Sequence, residues 1–318
     1  MQRNMNVRNF GLRSRDATRA LIAAYQIKGN GYGANSTVKT ALSHFTNHVK
    51  DHFGIKDLRD IKREHVLSYA SMLNEKFERE ELSASTAQNY LSPVNVALEN
   101  ARLDRVCRVD AVREAGLPTR SGIAVEDRSA SKSQHDHAVN KLPDHLGIKL
   151  ELQREIGLRF KESCLIDAQA ALLQAQEKGK VTIENGTKGG RPREVAIHAP
   201  SQIKALQRAA EEQNKSRSLV PSEQTWSQYQ SLSYREMINV GISFHQERHA
   251  YANARYTQLT GCKSPVQAKV PHREHIEHMA KTLNISIDRA KHLDIEARKK
   301  VSGELGHSRI SITNNYLG

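Results

Sequence analysis

The sequence has few cysteines and no long apolar run, and each shortage excludes a class of protein. Its 318 residues include only three scattered cysteines, Cys107, Cys164 and Cys262. A disulfide scaffold and a cysteine-rich zinc module are therefore excluded, and a reducing compartment, the cytoplasm, is expected. No segment approaches the roughly 20 consecutive apolar residues of a transmembrane helix, which excludes an integral membrane protein. The first residues contain no apolar core of a secretory signal, so we expect no export.

Positive charge is in surplus along the whole chain. There are 48 Lys and Arg against 35 Asp and Glu, a formal charge of +13, and the mean hydropathy is −0.64. Cutting at residue 135 leaves 21 basic and 15 acidic residues before the cut, and 27 and 20 after it, so the surplus is +6 and +7. This even division favours two folded units that bind one polyanion over a single basic tail. Charge alone does not distinguish DNA from RNA, or either from a merely soluble basic protein.

Composition and periodicity predict the domain organisation. We expect a basic N-terminal segment (1–30), a small all-helical domain (31–117), a polar, serine-rich linker (118–138) and a second domain (139–318). The glycine-rich stretch 29–33 predicts a break. Apolar spacing predicts three or four amphipathic helices in the first domain. Pro93 lies inside the third pattern and is expected to kink or interrupt that helix.

The second domain combines helices with one hairpin signal. Two short strand patterns, Val181–Ile183 and Glu194–Ile197, flank the turn-rich segment 185–192. The stretch 168–178 before them reads as a helix. We therefore predict a mostly α protein with a small β-sheet or hairpin, in which an α+β domain follows an all-α one.

Two short stretches of this second domain carry charge where chemistry could use it. Arg159 and Glu162 lie in an otherwise apolar segment, Gly157-Leu-Arg-Phe-Lys-Glu162. Arginine in such a setting must be paired or must face a ligand, and the simpler alternative is a structural salt bridge with Glu162. The hairpin turn carries Lys188, with Arg191 and Arg193 beside it. A lysine on a turn can reach a phosphate, and the sequence does not choose among the three cations.

Two further stretches combine histidine with arginine or tyrosine. His245 and Arg248 are three residues apart, so on a helix they share a face and suit one phosphate. Leu305-Gly306-His307 is followed nine residues later by Tyr316. Each pair alone is also compatible with an ordinary polar surface. The ordered set of four stretches is far more specific than any member.

In this order and spacing the four stretches resemble the tyrosine recombinase (phage integrase) family, most closely over 139–318 and more loosely over 31–115, where the family has a helical core-binding domain. The resemblance implies a DNA nucleophile at Tyr316 that forms a 3′-phosphotyrosyl bond. It implies that Arg159, Arg248 and His307 stabilise the phosphate, that Lys188 is the general acid, and that His245 transfers a proton or orients the phosphate, with Glu162 in support. No metal or cofactor is required, because side chains supply the positive charge.

The sequence departs from the family pattern between Arg248 and His307. These residues are separated by 58 others, so 261–300 is interpreted as an insertion that contacts DNA, contacts a neighbouring subunit, or forms a solvated helical excursion. His272, His275 and His278 recur there at helical spacing, but no cysteine lies close and no metal site is expected. The chain ends two residues after Tyr316, without the tail helix of many family members. Coupling between active sites is therefore expected to use another element, for which the insertion is a candidate.

The resemblance makes a site-specific DNA recombinase the expected function. Two basic domains would form a C-shaped clamp on duplex attachment sites, and a homotetramer would assemble on synapsed DNA, with accessory bending or directionality proteins as further partners. The alternatives are a DNA-relaxing enzyme similar to type IB topoisomerases and a DNA-binding relative without catalysis. The target sequence is not predictable, because base readout depends on side-chain placement in a groove.

Overall fold

The computed structural model describes residues 3–27 and 35–318, and the chain divides into two compact units, Met1–Ser121 and Gly122–Gly318. The break predicted at 29–33 lies outside the described residues. Within the described ranges, no helix combines the length and apolarity that crossing a membrane demands.

The described residues of the first unit form a bundle of four α-helices: α1 (Ala17–Gln26), α2 (Asn35–Phe53), α3 (Arg63–Glu78) and α4 (Ala84–Arg102). Helix α4 packs against both α1 and α2. Leu21 of α1 is fully buried, as are Phe45, Tyr69 and Leu91 of the other three helices. The prediction of a separate segment 1–30 is therefore wrong for its described part. The apolar face of α1 belongs to the core, because burying that face is what stabilises so short a helix.

Helix α4 is not interrupted at Pro93, contrary to the predicted alternative of a break. Ser83 caps the helix by accepting a hydrogen bond from the Thr86 amide at 3.2 Å, and the helix continues to Arg102. Proline removes one backbone donor from the helix interior. Buried apolar residues on both sides of it, such as Leu91 and Val94, hold the helix in the core despite that loss.

The second unit surrounds its core with eleven helices and one hairpin. In chain order these are α5 (Lys132–Lys141), α6 (Asp144–Ile156), α7 (Phe160–Leu165), α8 (Ala168–Lys178), β1 (Lys180–Ile183), β2 (Arg193–Ala196), α9 (Pro200–Gln213), α10 (Trp226–Ile238), α11 (Phe244–Thr260), α12 (Pro265–Ala268), α13 (His275–Leu283), α14 (Ile287–Glu304) and α15 (Asn314–Leu317). The expected linker 118–138 is too long. Residues from Gly122 belong to this unit, and Ser131 caps α5 by accepting from the Gln134 amide.

The hairpin has the predicted place and partners. Strands β1 and β2 pair antiparallel, with Lys180 opposite Ala196 and Ile183 opposite Arg193. The predicted helix over 168–178 is α8, which leads directly into β1. The predicted mostly α fold with one small hairpin is confirmed.

The segment 261–300 belongs to the core of the second unit. Met279 of α13 and Ala290 of α14 are fully buried within the same apolar cluster as Val181 of the hairpin. The alternative of a solvated excursion does not fit this packing, because these helices bury apolar faces of their own. Any surface of this segment that contacts a partner therefore lies on helices packed into the core of the second unit.

Candidate active site

Arg159 lies at the N-terminus of α7, where Glu162 holds it. The Arg159 amide and its Nη1 both donate to the Glu162 carboxylate at 2.7 Å, in the arrangement of a capping box. The Arg159 side chain stays 24% exposed, and its Nη2 donates to the carbonyl of Leu305 at 3.2 Å. The alternative salt bridge with Glu162 is thus present, but it uses one of the five side-chain N–H groups. Arg159 is paired and still able to bind a ligand.

The hairpin places its three cations in different environments. Arg193 lies in β2, is buried, and donates both Nη atoms to Glu162 at 2.7 and 2.6 Å. Burial alone would raise the pKa of Glu162, but the hydrogen bonds and charges of Arg193 and Arg159 lower it to about 2. Lys188 and Arg191 are exposed in the connecting turn. Of the three cations, Arg193 is buried in an ion pair with Glu162. Lys188 and Arg191 are the two that remain accessible to a ligand.

Helix α11 carries the His-x-x-Arg pair near its N-terminus. Its first residue, Phe244, stacks on Phe160 with ring centroids 4.0 Å apart, and Phe160 is the first residue of α7. His245 follows Phe244 in the chain, and Arg159 precedes Phe160. The stacking of the two phenylalanine rings therefore brings His245 and Arg159 close together. Such stacked pairs contribute about 1 kcal/mol beyond the area that they bury.

Arg248 is fully buried and is hydrogen-bonded by all three of its nitrogens. Its Nε donates to the Tyr316 hydroxyl at 3.3 Å, while Nη1 and Nη2 donate to the carbonyls of Gly157 and Leu305. Burial lowers the pKa of Arg248 to about 10. The guanidinium therefore remains charged at neutral pH, deep in a medium where its field is strong.

The glycines of the two short motifs are explained by close contacts. Gly157 ends α6 with φ at +69°, and a Cβ there would lie 2.5 Å from the ring of Tyr251. Gly306 also has φ at +69°, and its Cβ would lie 2.8 Å from the side chain of Arg193. Only glycine allows both the left-handed backbone and the approach. The flanking carbonyls of Gly157 and Leu305 are thereby aimed at Arg248.

His307 lies beside Arg248, with Nε2 at 3.5 Å from Nη2. Burial, followed by the charges of Arg248 and other cations including Lys188, lowers the pKa of His307 to about 3. The imidazole is therefore neutral at physiological pH. Because arginine can only donate, the near Nε2 is the acceptor and the proton lies on Nδ1. His307 is then a neutral hydrogen-bond donor through Nδ1.

Tyr316 lies within the short helix α15 and is only 5% exposed. Its ring centroid is 5.6 Å from that of His245, 5.7 Å from His307 and 4.7 Å from His249. The buried amide of Asn253 donates to the Tyr316 carbonyl at 3.3 Å. The hydroxyl of Tyr316 is thus held against Arg248, and its backbone is held by α11.

The structure gathers five of the six predicted site residues into one group: Arg159, His245, Arg248, His307 and Tyr316. Lys188 borders them on the hairpin. Sequence reasoning missed His249, which lies one turn after His245 and therefore on the same face of α11. Loss of solvation, then the charges around it, lowers the pKa of His249 to about 4 and moves that of His245 downward as well. Both rings are expected to be neutral at pH 7.

The histidines of 261–300 do not converge on an ion. His275 is buried, and its Nε2 lies 3.0 Å from the Tyr256 hydroxyl. Across residues 3–27 and 35–318, no three His, Cys, Asp or Glu side chains are grouped as metal ligands would be.

Comparison with known proteins concerns the fold of the chain. A family model described as integrase matches residues 119–254. Among solved structures, a lambda integrase dimer bound to a COC′ core site shares 14% identity with a TM-score of 0.54, covering 92% of this chain and 83% of the other. The Tn1549 transposon integrase with a Y379F substitution, in complex with transposon right-end DNA, shares 13% identity with a TM-score of 0.58, covering 94% of each chain. A lambda integrase tetramer on a Holliday junction shares 15% identity with a TM-score of 0.50, covering 75% and 72%. No curated protein matches significantly.

Proposed function

We propose that the chain is a tyrosine recombinase, which cuts and rejoins duplex DNA at specific sites through a covalent bond to Tyr316. The observation that carries the proposal is the hydrogen bond from the buried Arg248 to the Tyr316 hydroxyl, with His307 and Arg159 beside it. A phenol held against a cationic pocket is suited to attack a phosphodiester, whose transition state gains negative charge.

The proposed step balances as follows. The Tyr316 oxygen bonds to phosphorus, and the bond between phosphorus and the 5′-oxygen breaks. The phenol proton passes to the neutral His245, and an ammonium proton of Lys188 passes to the departing 5′-oxygen. The products are a 3′-phosphotyrosyl linkage and a free 5′-hydroxyl. Because the phosphodiester bond is exchanged and not hydrolysed, the reverse reaction rejoins DNA without an external energy source.

The two arginines retain donors for a phosphate. Arg248 uses four of its five N–H groups, on Tyr316, Gly157, Leu305 and His307, and Arg159 uses two, on Glu162 and Leu305. One N–H group of Arg248 and three of Arg159 therefore remain. Since the partners fix both guanidinium planes before DNA arrives, little reorganisation accompanies phosphate binding.

We propose that the active assembly is a tetramer on two synapsed duplexes, because exchange of two duplexes needs four strand cuts. The similar lambda integrase seen as a tetramer on a Holliday junction supports this assembly. The surplus of +13 would supply most of its affinity for the DNA backbone, so binding should weaken steeply with salt.

Covalent capture tests the proposal. The protein is incubated with a library of nicked suicide duplexes, randomised over the central base pairs, and SDS-resistant protein–DNA adducts are recovered and sequenced. Adducts enriched in one sequence are expected from the wild type, and none from Tyr316→Phe. Tyr316→Phe removes only a hydroxyl and serves as the folded control. Absence of any wild-type adduct would overturn the proposal that the protein is a recombinase. Adducts that persist in Tyr316→Phe would overturn the assignment of Tyr316 as the nucleophile.

The same capture separates the proposal from its alternatives. Enrichment of one sequence followed by strand transfer between two duplexes indicates recombination. Relaxation of supercoiled plasmids without sequence enrichment indicates topoisomerase-like activity. Sequence-specific binding with no covalent adduct indicates a non-catalytic relative.

A further inference from the structure

Residues 122–130, here called the strap, form hydrogen bonds to three helices, α11, α12 and α15. The Ala124 amide donates to the Asn314 carbonyl at 2.8 Å, and the Ala130 amide donates to the Gln246 carbonyl at 3.3 Å. Gln267 of α12 donates to the Asp127 carboxylate at 3.2 Å. The strap is therefore fixed to α15, which carries the tyrosine, and to the first turn of α11, which carries His245.

Arg128 lies near the C-terminal end of the strap. The next residue, Ser129, accepts a hydrogen bond at 3.1 Å from the Asn253 amide nitrogen, which also donates to the Tyr316 carbonyl at 3.3 Å. Arg128 is thus adjacent to Ser129, and the Asn253 amide nitrogen donates both to Ser129 and to the backbone of the nucleophile Tyr316. Its neighbours Asp127 and Ser129 are both bonded to the catalytic unit, so the backbone that carries Arg128 is held on both sides.

The Arg128 side chain is exposed, and within residues 3–27 and 35–318 it forms no hydrogen bond or ion pair. The adjacent Asp127 does not neutralise it by contact, because its Oδ1 accepts from the Ser129 amide at 2.9 Å and its Oδ2 from Gln267. The positive charge of Arg128 contributes to the lowered pKa values of both His245 and His249, which places it on the histidine side of Tyr316.

The other fixed positive charges that act on His245 are those of Arg248 and Arg159. His245 and His249 are neutral at pH 7, and the Nδ1 of the buried His249 has no partner among the described atoms. Arg159 and Arg248 meet at the Leu305 carbonyl instead. A DNA strand bound with its scissile phosphate at those two arginines continues past Tyr316, and its next phosphates need a cation of their own.

We infer that Arg128 is a DNA-contacting residue of the active site that binds the backbone phosphate next to the scissile one and so sets the position of the strand for attack by Tyr316. This inference rests on the proposed function. Arginine suits the task because its planar fork can donate two hydrogen bonds to one phosphate. The strap delivers it from the segment preceding α5, outside the motifs that carry the other site residues.

A substitution combined with a neutral phosphate tests the inference. The variants are Arg128→Gln, Arg128→Lys, and Arg217→Gln as a matched loss of one exposed charge elsewhere in the same unit. The rate of adduct formation is measured on the captured duplex and on two duplexes with a methylphosphonate on either side of the scissile phosphate. We expect Arg128→Gln to slow the reaction about tenfold, the loss of one charge-assisted hydrogen bond, Arg128→Lys to slow it less, and Arg217→Gln to leave it unchanged.

The neutral phosphate distinguishes contact from structure. On one of the two methylphosphonate duplexes, wild type and Arg128→Gln should react at the same reduced rate. The neutral methylphosphonate there has already removed the contact between Arg128 and a charged phosphate. Equal rates for Arg128→Gln and Arg217→Gln on normal DNA would overturn the inference and leave the recombinase intact. A tenfold defect that persists on both methylphosphonate duplexes would also overturn it, by showing an effect through folding. Failure of the wild type to form any adduct would instead overturn the proposed function.

Discussion

Arg193 and Glu162 form a buried, two-pronged ion pair, with Nη1 and Nη2 of the arginine 2.7 and 2.6 Å from the two carboxylate oxygens. The pair joins the hairpin to α7, and Arg193 also donates through Nε to the Glu304 carbonyl at 2.7 Å. Glu304 is the last residue of α14 and precedes Leu305, whose carbonyl meets Arg159 and Arg248. Arg193 thus connects three elements of the site, the hairpin, α7 and α14.

We predict that Arg193→Gln destabilises the fold. The substitution leaves the buried Glu162 with Arg159 at 2.7 Å and Arg248 at 3.9 Å but without its two-pronged partner, and breaking a buried pair costs about 3 kcal/mol or more. The free energy of unfolding, measured by urea denaturation, should fall by that amount. The neighbouring Arg191→Gln is the control, since this side chain is exposed and its loss should change stability by about 0.5 kcal/mol or less. Equal stabilities for the two variants would contradict the structural role of Arg193.

We predict the opposite pattern for Lys188, with stability retained and cleavage slowed. Its side chain is exposed in the hairpin turn, so Lys188→Ala should unfold at the wild-type urea concentration. If its ammonium protonates the 5′-oxygen, cleavage should fall by about 100-fold or more, as for other general acids. A duplex with sulfur in place of that oxygen should restore the rate, because a thiolate leaves without protonation.

Arg191→Ala is the matched variant for this experiment. It removes the other exposed cation of the same turn and should be slowed little on either duplex. If the sulfur-containing duplex restores the cleavage rate of Arg191→Ala but not that of Lys188→Ala, the general acid is Arg191 and not Lys188.

We predict that Asn314 positions the nucleophile. Arg298 of α14 donates to the Asn314 side chain at 2.9 Å, and Arg298 is itself held by the Asp294 carboxylate at 2.9 Å. Asn314→Ala should release the first turn of α15 and slow adduct formation about tenfold, because small displacements of a reacting group are costly. The rate at saturating DNA should fall, while the affinity for DNA stays unchanged.

Asn315→Ala provides the comparison. This neighbour is exposed and donates only to the Ile312 carbonyl at 3.2 Å. Its substitution should leave the rate near that of the wild type. If the two variants behave alike, the link from Arg298 to α15 does not position Tyr316.

Some of this organisation was readable from the sequence and some was not. Spacing alone indicated the hairpin, α8, and a set of motifs that meets around Tyr316. The sequence could not tell that Arg193 would turn inward while Lys188 stayed exposed, because alternation along a two-stranded hairpin is set by what packs on each face. It also placed residues 122–130 in a linker. Their polar composition matches a linker, whereas their hydrogen bonds to Asn314 and Gln246 are non-local.

The final prediction concerns pH and His249. Burial lowers the pKa of His249 to about 4, against 6.5 for the free side chain. The unfolded chain therefore binds a proton there between pH 6.5 and 4 while the folded protein does not, so stability is complete above pH 6.5 and is lost as the pH falls toward 4. His275, at about 4, and His307, at about 3, act in the same direction.

His249→Phe should make this acid sensitivity shallower. The ring is retained, and Nδ1 has no hydrogen bond to lose among the described residues. The number of protons taken up on unfolding near pH 5, obtained from the slope of unfolding free energy against pH, should fall by about one. Glu162, with a folded pKa of about 2 against 4.5, loses its stabilising effect only as the pH falls below 4.5, so the range from 6.5 to 5 reports the histidines. An unchanged slope in that range would show that His249 is protonated in the folded protein. Arg128 would then no longer supply positive charge beside two neutral histidines.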